Sequence, residues 1–190
     1  MDTVLIIVLV VIAVVVIGGI LIYNGLVQRR LRIDEAFAQI EVQLKRRWDL
    51  IPNLINAVKG YMGFEQSVLT QVTEARANAV TAGAQGPAAS AAAEGMLTGA
   101  LRSLFAVVEN YPELKANQNV LELQEQLTTT ENQISFSRQF YNDVVTKFNT
   151  DQQVFPTNLF ASLLGFTPSA LWELPADSPE RENVKVNLTV

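Results

Sequence analysis

The sequence predicts an all-α protein. An N-terminal transmembrane helix continues into an antiparallel bundle of long helices, followed by a short apolar helix and a terminal segment patterned as a β-strand. Three observations carry this. Nineteen residues from Val4 to Ile22 contain no charge. Apolar side chains then recur at spacings of three and four from Ile33 to Val58, and a seven-residue recurrence runs from Val120 to Phe148. The composition narrows the chemistry: 190 residues, 49 % hydrophobic, 17 % charged, with no Cys, no His and a net charge of -5. No thiolate or imidazole is present to hold a metal or haem, to act as a cysteine nucleophile or to complete a Ser-His-Asp triad.

Residues 1–3 form a short tail before the span at 4–22, which as a helix reaches roughly 28 Å, the thickness of a hydrocarbon core. Asp2 at the start and the absence of a small-x-small site argue for a retained anchor rather than a cleaved signal peptide. Tyr23 stands at the membrane boundary as an interfacial residue, and Arg29, Arg30 and Arg32 follow as a membrane-surface collar, with Lys45, Arg46 and Arg47 beyond. This bias puts the N-terminus outside and the domain in the cytoplasm. The collar reads as attraction to anionic headgroups, or as a topology signal with helix-surface pairs such as Arg30 with Asp34 and Glu41 with Lys45. From Trp48 onward eight basic residues face fifteen acidic ones, which argues against nucleic acid as a partner.

The bundle spans residues 23–152. No Gly or Pro interrupts residues 26–51, so the anchor is expected to continue outward as one rod, bent at Pro52 where the carbonyl of Trp48 loses its partner. Trp48 lies on the apolar stripe and reads as core. A second helix is carried by Phe64, Val68, Leu69, Val72 and Ala79, and a third by Met96, Leu97, Leu101, Leu104 and Val108. Between them the small residues of 81–95 predict a flexible loop. Asn110, Pro112 and Glu113 read as the start of a long helix of nearly forty residues, with Val120, Leu127, Ile134, Tyr141 and Phe148 as its core row.

Residues 153–174 form a short apolar helical region closed by Gly165. Leu159, Phe160, Leu163, Leu164 and Phe166 are more apolar surface than so short an element buries alone, either a lid across the bundle or a contact with the membrane or a neighbouring subunit. Trp172 docks on the bundle or reaches a partner. In the tail, 175–190, the alternation of Val184, Val186, Leu188 and Val190 is a strand signal over 184–190, and a lone strand is either disordered or paired with another copy.

No phosphate-binding glycine pattern occurs. Glu122 and Glu125 share a helical face, but a di-iron bundle would need a Glu-x-x-His and there is no His. Glu131, Asn132, Arg138, Asn142 and Asp143 either line a polar pocket or pair with Arg46, Arg47, Asp49 and Asn53 across helices to fix register, the second being expected. No catalytic, cofactor-binding or metal-binding residue is predicted, and the chain is not expected to be an enzyme.

The stretch YNGLVQRRLRIDEAFAQIEVQLKRRWDLIPNLINAVKGY resembles the opening of the LemA family of bacterial membrane proteins. The resemblance continues in ENYPELKANQNVLELQEQL, TENQISFSRQFYNDVVTKFN and FPTNLFASLLGF, from Tyr23 to Phe166. It implies an anchored antiparallel bundle in the bacterial inner membrane, implies no catalytic residue, and hints at a membrane metalloprotease or a TPM-domain protein as partner. The tail after Leu174 matches no motif of that family. The expected function is a membrane-anchored scaffold that self-associates into a closed homo-oligomer. The alternative is a regulatory adaptor that binds an envelope protease or another membrane protein as a monomer or dimer.

Overall fold

A single helix, α1, runs 58 residues from Asp2 to Lys59 in the computed structural model, which describes residues 2–61 and 65–173. It is followed by α2 (Gln66–Gly83), α3 (Pro87–Val108), the one-turn α4 (Pro112–Lys115), α5 (Gln118–Asp151) and α6 (Thr157–Leu163). Among the described residues there is no strand. The strand expected over 184–190 and Phe64 of the second apolar stripe lie outside them.

Helix α1 passes through Pro52 without a break. The proline removes the N–H that would have satisfied the carbonyl of Trp48, and Arg76 on α2 donates its Nε to that oxygen at 2.7 Å. The proline therefore creates a binding point for the neighbouring helix.

Two expectations are corrected. The loop at 81–95 is helix on both sides of a connection only three residues long, 84–86. Alanine has the highest helix propensity, Pro87 sits in the first turn where its missing N–H costs nothing, and the Ser90 hydroxyl bonds back to the carbonyl of Ala82 at 3.3 Å. The long helix begins at Gln118 rather than at Asn110, and its cap is Asn117. The side-chain oxygen of Asn117 accepts from the N–H groups of Asn119 and Val120 at 3.0 and 3.3 Å, while Pro112 opens only the single turn of α4.

The chain forms two compact units, and α1 and α5 contribute to both. One comprises residues 2–38 and 139–171. Here α1 and α5 run antiparallel: Arg29 pairs with Asp151 at 2.7 Å, and further along α1 the ring of Phe37 meets that of Tyr141 at 5.9 Å. Leu26, Ile33 and Ala36 are buried on α1, and Tyr141, Val145 and Phe148 on α5. The segment after α6 is tied down by polar bonds. Tyr141 donates its hydroxyl to the carbonyl of Ala170 at 2.8 Å, and Asn149 exchanges two bonds with the backbone of Ser169 at 2.8 and 2.9 Å.

The other unit comprises, among the described residues, 39–61, 65–138 and 172–173. Its core is built from Ile51, Leu54 and Val58 of α1, Leu69, Val72 and Ala79 of α2, Leu97, Leu101 and Leu104 of α3, Leu114 of α4, and Val120 and Leu127 of α5. Trp172 is buried here with the guanidinium of Arg138 5.7 Å from its ring centre, so of its two expected roles it takes the docked one.

Candidate functional site

The unit built on residues 39–138 contains a charge cluster that its apolar core surrounds. Arg47 lies on the stripe of α1 one residue before Trp48, so the register that points Trp48 inward brings the guanidinium with it. Only 4 % of Arg47 and 4 % of Glu94 remain exposed. Arg47 Nη1 reaches the carboxylates of Glu94 at 3.1 Å and Glu131 at 3.0 Å, and Nη2 donates to the Thr98 hydroxyl at 2.8 Å. Thr98 in turn donates to the carbonyl of Glu94 at 2.9 Å. The other Glu94 oxygen accepts from Trp48 Nε1 at 2.6 Å. Three helices, α1, α3 and α5, are thus fastened at one point.

Burial pushes the Glu94 carboxyl above its ordinary range, outweighing the opposing pull of Arg47 and the Trp48 hydrogen bond, with the Glu131 charge adding to the rise. Both Glu94 oxygens are engaged, so the group acts as a clamp between helices rather than as a free base. Beside it opens a cleft of about 410 Å³ between α3 and α5. Leu101, Phe105 and Leu127 form its apolar part, and Arg102, Glu109 and Asn132 its polar wall. Among the described residues no group of three or more Asp or Glu is placed to hold a metal ion.

The sequence anticipated part of this cluster. Arg47 and Glu131 do pair across helices, as expected, but Glu94 was missed because it lies in the alanine-rich stretch read as a loop. The available signal was its standing as the one charged residue between positions 81 and 95, four residues before Thr98 on what is a helix face.

The residues expected at the membrane surface gather in the other unit. Tyr23 is partly exposed and meets Phe166 edge-on at 5.9 Å between ring centres; Phe166 also meets Phe148 at 6.5 Å. Arg29 is engaged by Asp151, whereas Arg30 and Arg32 face outward. Further along the basic series, Lys45 pairs with Asp49 at 2.8 Å. Of the apolar residues of α6 and its turn, Phe160 and Phe166 are half-buried, while Leu159, Leu163 and Leu164 are exposed. Val184, Val186, Leu188 and Val190 lie outside the described residues.

Tyr141, at the centre of the same unit, has its phenol pushed up by burial, with the charge of Asp34 adding to the rise. Among the described residues two helices are long and apolar enough to cross a membrane, α1 and α3. The apolar window of α1 is wholly unburied, whereas α3 is partly buried and carries Glu94, the partner of Arg47.

The chain is similar in sequence to known proteins over most of its length. The chain is 26 % identical over 183 residues to Magnetosome protein MamQ 2 of Paramagnetospirillum magneticum, covering 83 % of this chain and 67 % of that protein. It is 27 % identical over 163 residues to Protein LemA of Metamycoplasma hominis, covering 85 % and 72 %. Magnetosome protein MamQ of Magnetospirillum gryphiswaldense is 24 % identical over 168 residues, covering 76 % and 62 %. The profile of the LemA family matches residues 36–188 and so takes in the tail after Leu174 that carried no recognised motif. With an apolar N-terminal helix, a helical bundle and a family match across most of its length, this chain is a membrane-associated helical protein belonging to the LemA family.

Proposed function

We propose that the protein is a non-catalytic, membrane-anchored scaffold that self-associates into a closed homo-oligomer. Its helical domain stands on the cytoplasmic side of the bacterial inner membrane with the N-terminus outside. The orientation rests on the arginine collar following the span and the single Asp2 preceding it.

The observation that carries the assembly is the outer strip of α5. Gln126, Thr129, Gln133, Phe136 and Phe140 recur at spacings of three and four, all exposed and none charged. Phe136 follows Ile134 by two residues and so lies about 200° round the helix from the buried row. Phe136 remains 69 % exposed and Phe140 50 %. A helix whose inner row already fills the core gains nothing from an aromatic pair in water. A second copy of the strip would cover it without desolvating a charge. Repetition of that contact around a closed ring leaves no strip uncovered, whereas open stacking would form filaments. Pairing of the 184–190 segment with a neighbouring copy belongs to the same proposal.

Native mass spectrometry of the full-length protein in mild detergent tests this reading. A discrete oligomer is expected, reduced to monomer in the Phe136→Asp/Phe140→Asp variant and lowered in mass when residues 183–190 are removed. A double variant of unchanged mass rejects the α5 seam. A monomeric wild-type protein favours the adaptor reading, in which the cleft beside Arg102 receives a segment of a membrane protease or TPM-domain protein.

A further inference from the structure

We propose that α6, with the turn before it and the turn that closes it, residues 154–165, inserts into the lipid leaflet beside α1 and meets its acyl chains. The occupant of this exposed apolar face is thus the bilayer.

Four observations point there. The first is depth. The ring of Phe160 lies 3.2 Å from where a Cβ on Gly19 would stand, and Gly19 belongs to the apolar span, about 4.5 Å of helix rise inside its end at Ile22. Thr157, one turn earlier, lines a crevice with Leu21, Ile22 and Arg29. From Thr157 to Phe160 the helix thus descends along α1, and the same direction continued for one turn carries Leu163 to the level of Gly19 or below.

The second is what the descending surface presents. Phe155 is 75 % exposed, Leu159 60 % and Leu163 81 %, with Val154 and Leu164 beside them. In water this would be an unexplained apolar patch, but beside the apolar window of α1, none of which is buried, it extends the surface turned to lipid.

The third is charge. From Gln152 to Trp172 the chain has no Asp, Glu, Lys or Arg. The acidic residue at the edge of this stretch, Asp151, is neutralised by Arg29 at 2.7 Å. A segment entering hydrocarbon must leave its charges behind.

The fourth is backbone satisfaction. The turn after α6 closes on Gly165, whose φ of +76° is the left-handed conformation a side chain disfavours. The N–H of Phe166 bonds to the carbonyl of Ala161 at 3.0 Å, and that of Gly165 to the carbonyl of Ser162 at 3.3 Å. With the N–H of Leu164 on the carbonyl of Phe160 at 2.9 Å, the carbonyls of Phe160, Ala161 and Ser162 are used within the turn, which lowers the cost of placing this end in lipid. Phe166 then returns to Tyr23 at the boundary. The segment thus forms a short helix and return turn dipping beside the anchor.

The inference rests on α1 crossing the bilayer, and the test separates the two. The chain has no cysteine, so single nitroxide labels can be placed at Leu163→Cys, at Val14→Cys in the span and at Ser103→Cys on the exposed face of α3. The full-length protein is reconstituted in phosphatidylcholine–phosphatidylglycerol vesicles, and each label's collision with oxygen is compared with its collision with a water-soluble nickel chelate. The oxygen-to-nickel ratio at position 163 is expected to exceed that at 103 several-fold and to approach that at 14. A ratio at 163 equal to that at 103, with position 14 still in lipid, overturns the insertion of α6 alone; a water-exposed position 14 overturns the anchor as well. Shielding of position 163 from both reagents, with line broadening relieved by unlabelled protein, also overturns it and makes a second copy the occupant.

Discussion

Arg47 and Glu94 come from positions 47 residues apart, and each is buried in a place where neither could stand alone. Removing one partner of such a pair leaves an uncompensated charge, whereas neutralising the strained one does not. Glu94→Gln keeps an acceptor for Trp48 Nε1, and Arg47 keeps Glu131 and Thr98, so this variant is expected to lose about 1 kcal/mol or less. Arg47→Ala is expected to cost about 3–5 kcal/mol. The pH dependence follows from the raised carboxyl. Because the folded pKa lies above the unfolded one, the protonated group's contribution is fully present below the unfolded value and is lost as pH rises through the folded value. Thermal melts between about pH 4 and 8 should therefore show the wild type losing more stability with rising pH than Glu94→Gln. Parallel curves for the two proteins would reject a strained Glu94.

At the scale of the element, Trp48 decides how closely α2 approaches α1. A Cβ on Gly83 would stand 2.9 Å from Cη2 of the indole. The ring has little freedom to retreat, since Glu94 holds its N–H at 2.6 Å and Arg76 holds the Trp48 carbonyl at 2.7 Å. Gly83 ends α2, where better helix propensity is of little value, so Gly83→Ala is expected to destabilise by about 1–3 kcal/mol through overpacking. Gly99 in α3 has open space around it, and Gly99→Ala is expected to stabilise by up to about 1 kcal/mol. Chemical denaturation of the two variants checks both signs, and a stabilised Gly83→Ala would mean that the indole moves freely. These elements also show what the sequence discloses. The stripe from Ile33 to Val58 and the row from Val120 to Phe148 were legible because each is a local period on one helix. The α2–α3 junction was not, because alanine gives no amphipathic signal while it favours the helix and permits close packing. The Arg47–Glu94 clamp was illegible for a different reason: a contact across 47 residues has no period, and the same charges on an exposed face would read identically.

For the whole molecule, the consequence to test is what the anchor contributes to assembly. The apolar span from Val4 to Ile22 has no fully buried residue, and the core that surrounds the Arg47 clamp draws nothing from it. Loss of residues 1–23 removes Gly19 and Tyr23, the α1 residues against which Phe160 and Phe166 rest, but leaves Arg29 with Asp151 and Phe37 with Tyr141. A version beginning at Asn24 should accordingly keep its helical bundle and melt cooperatively. Its assembly is another matter. Chains inserted in one membrane or micelle meet at a far higher effective concentration than chains free in water, so a seam such as the uncharged outer strip of α5 can be weak and still suffice at the membrane. The full-length protein in mild detergent is expected to hold its oligomeric mass on dilution, while the shortened version falls toward monomer across the same range in light scattering. Should both keep one mass at every concentration, the seam is strong by itself and the anchor only places it; should the shortened version be unfolded by circular dichroism, the span is part of the fold rather than an attachment to it.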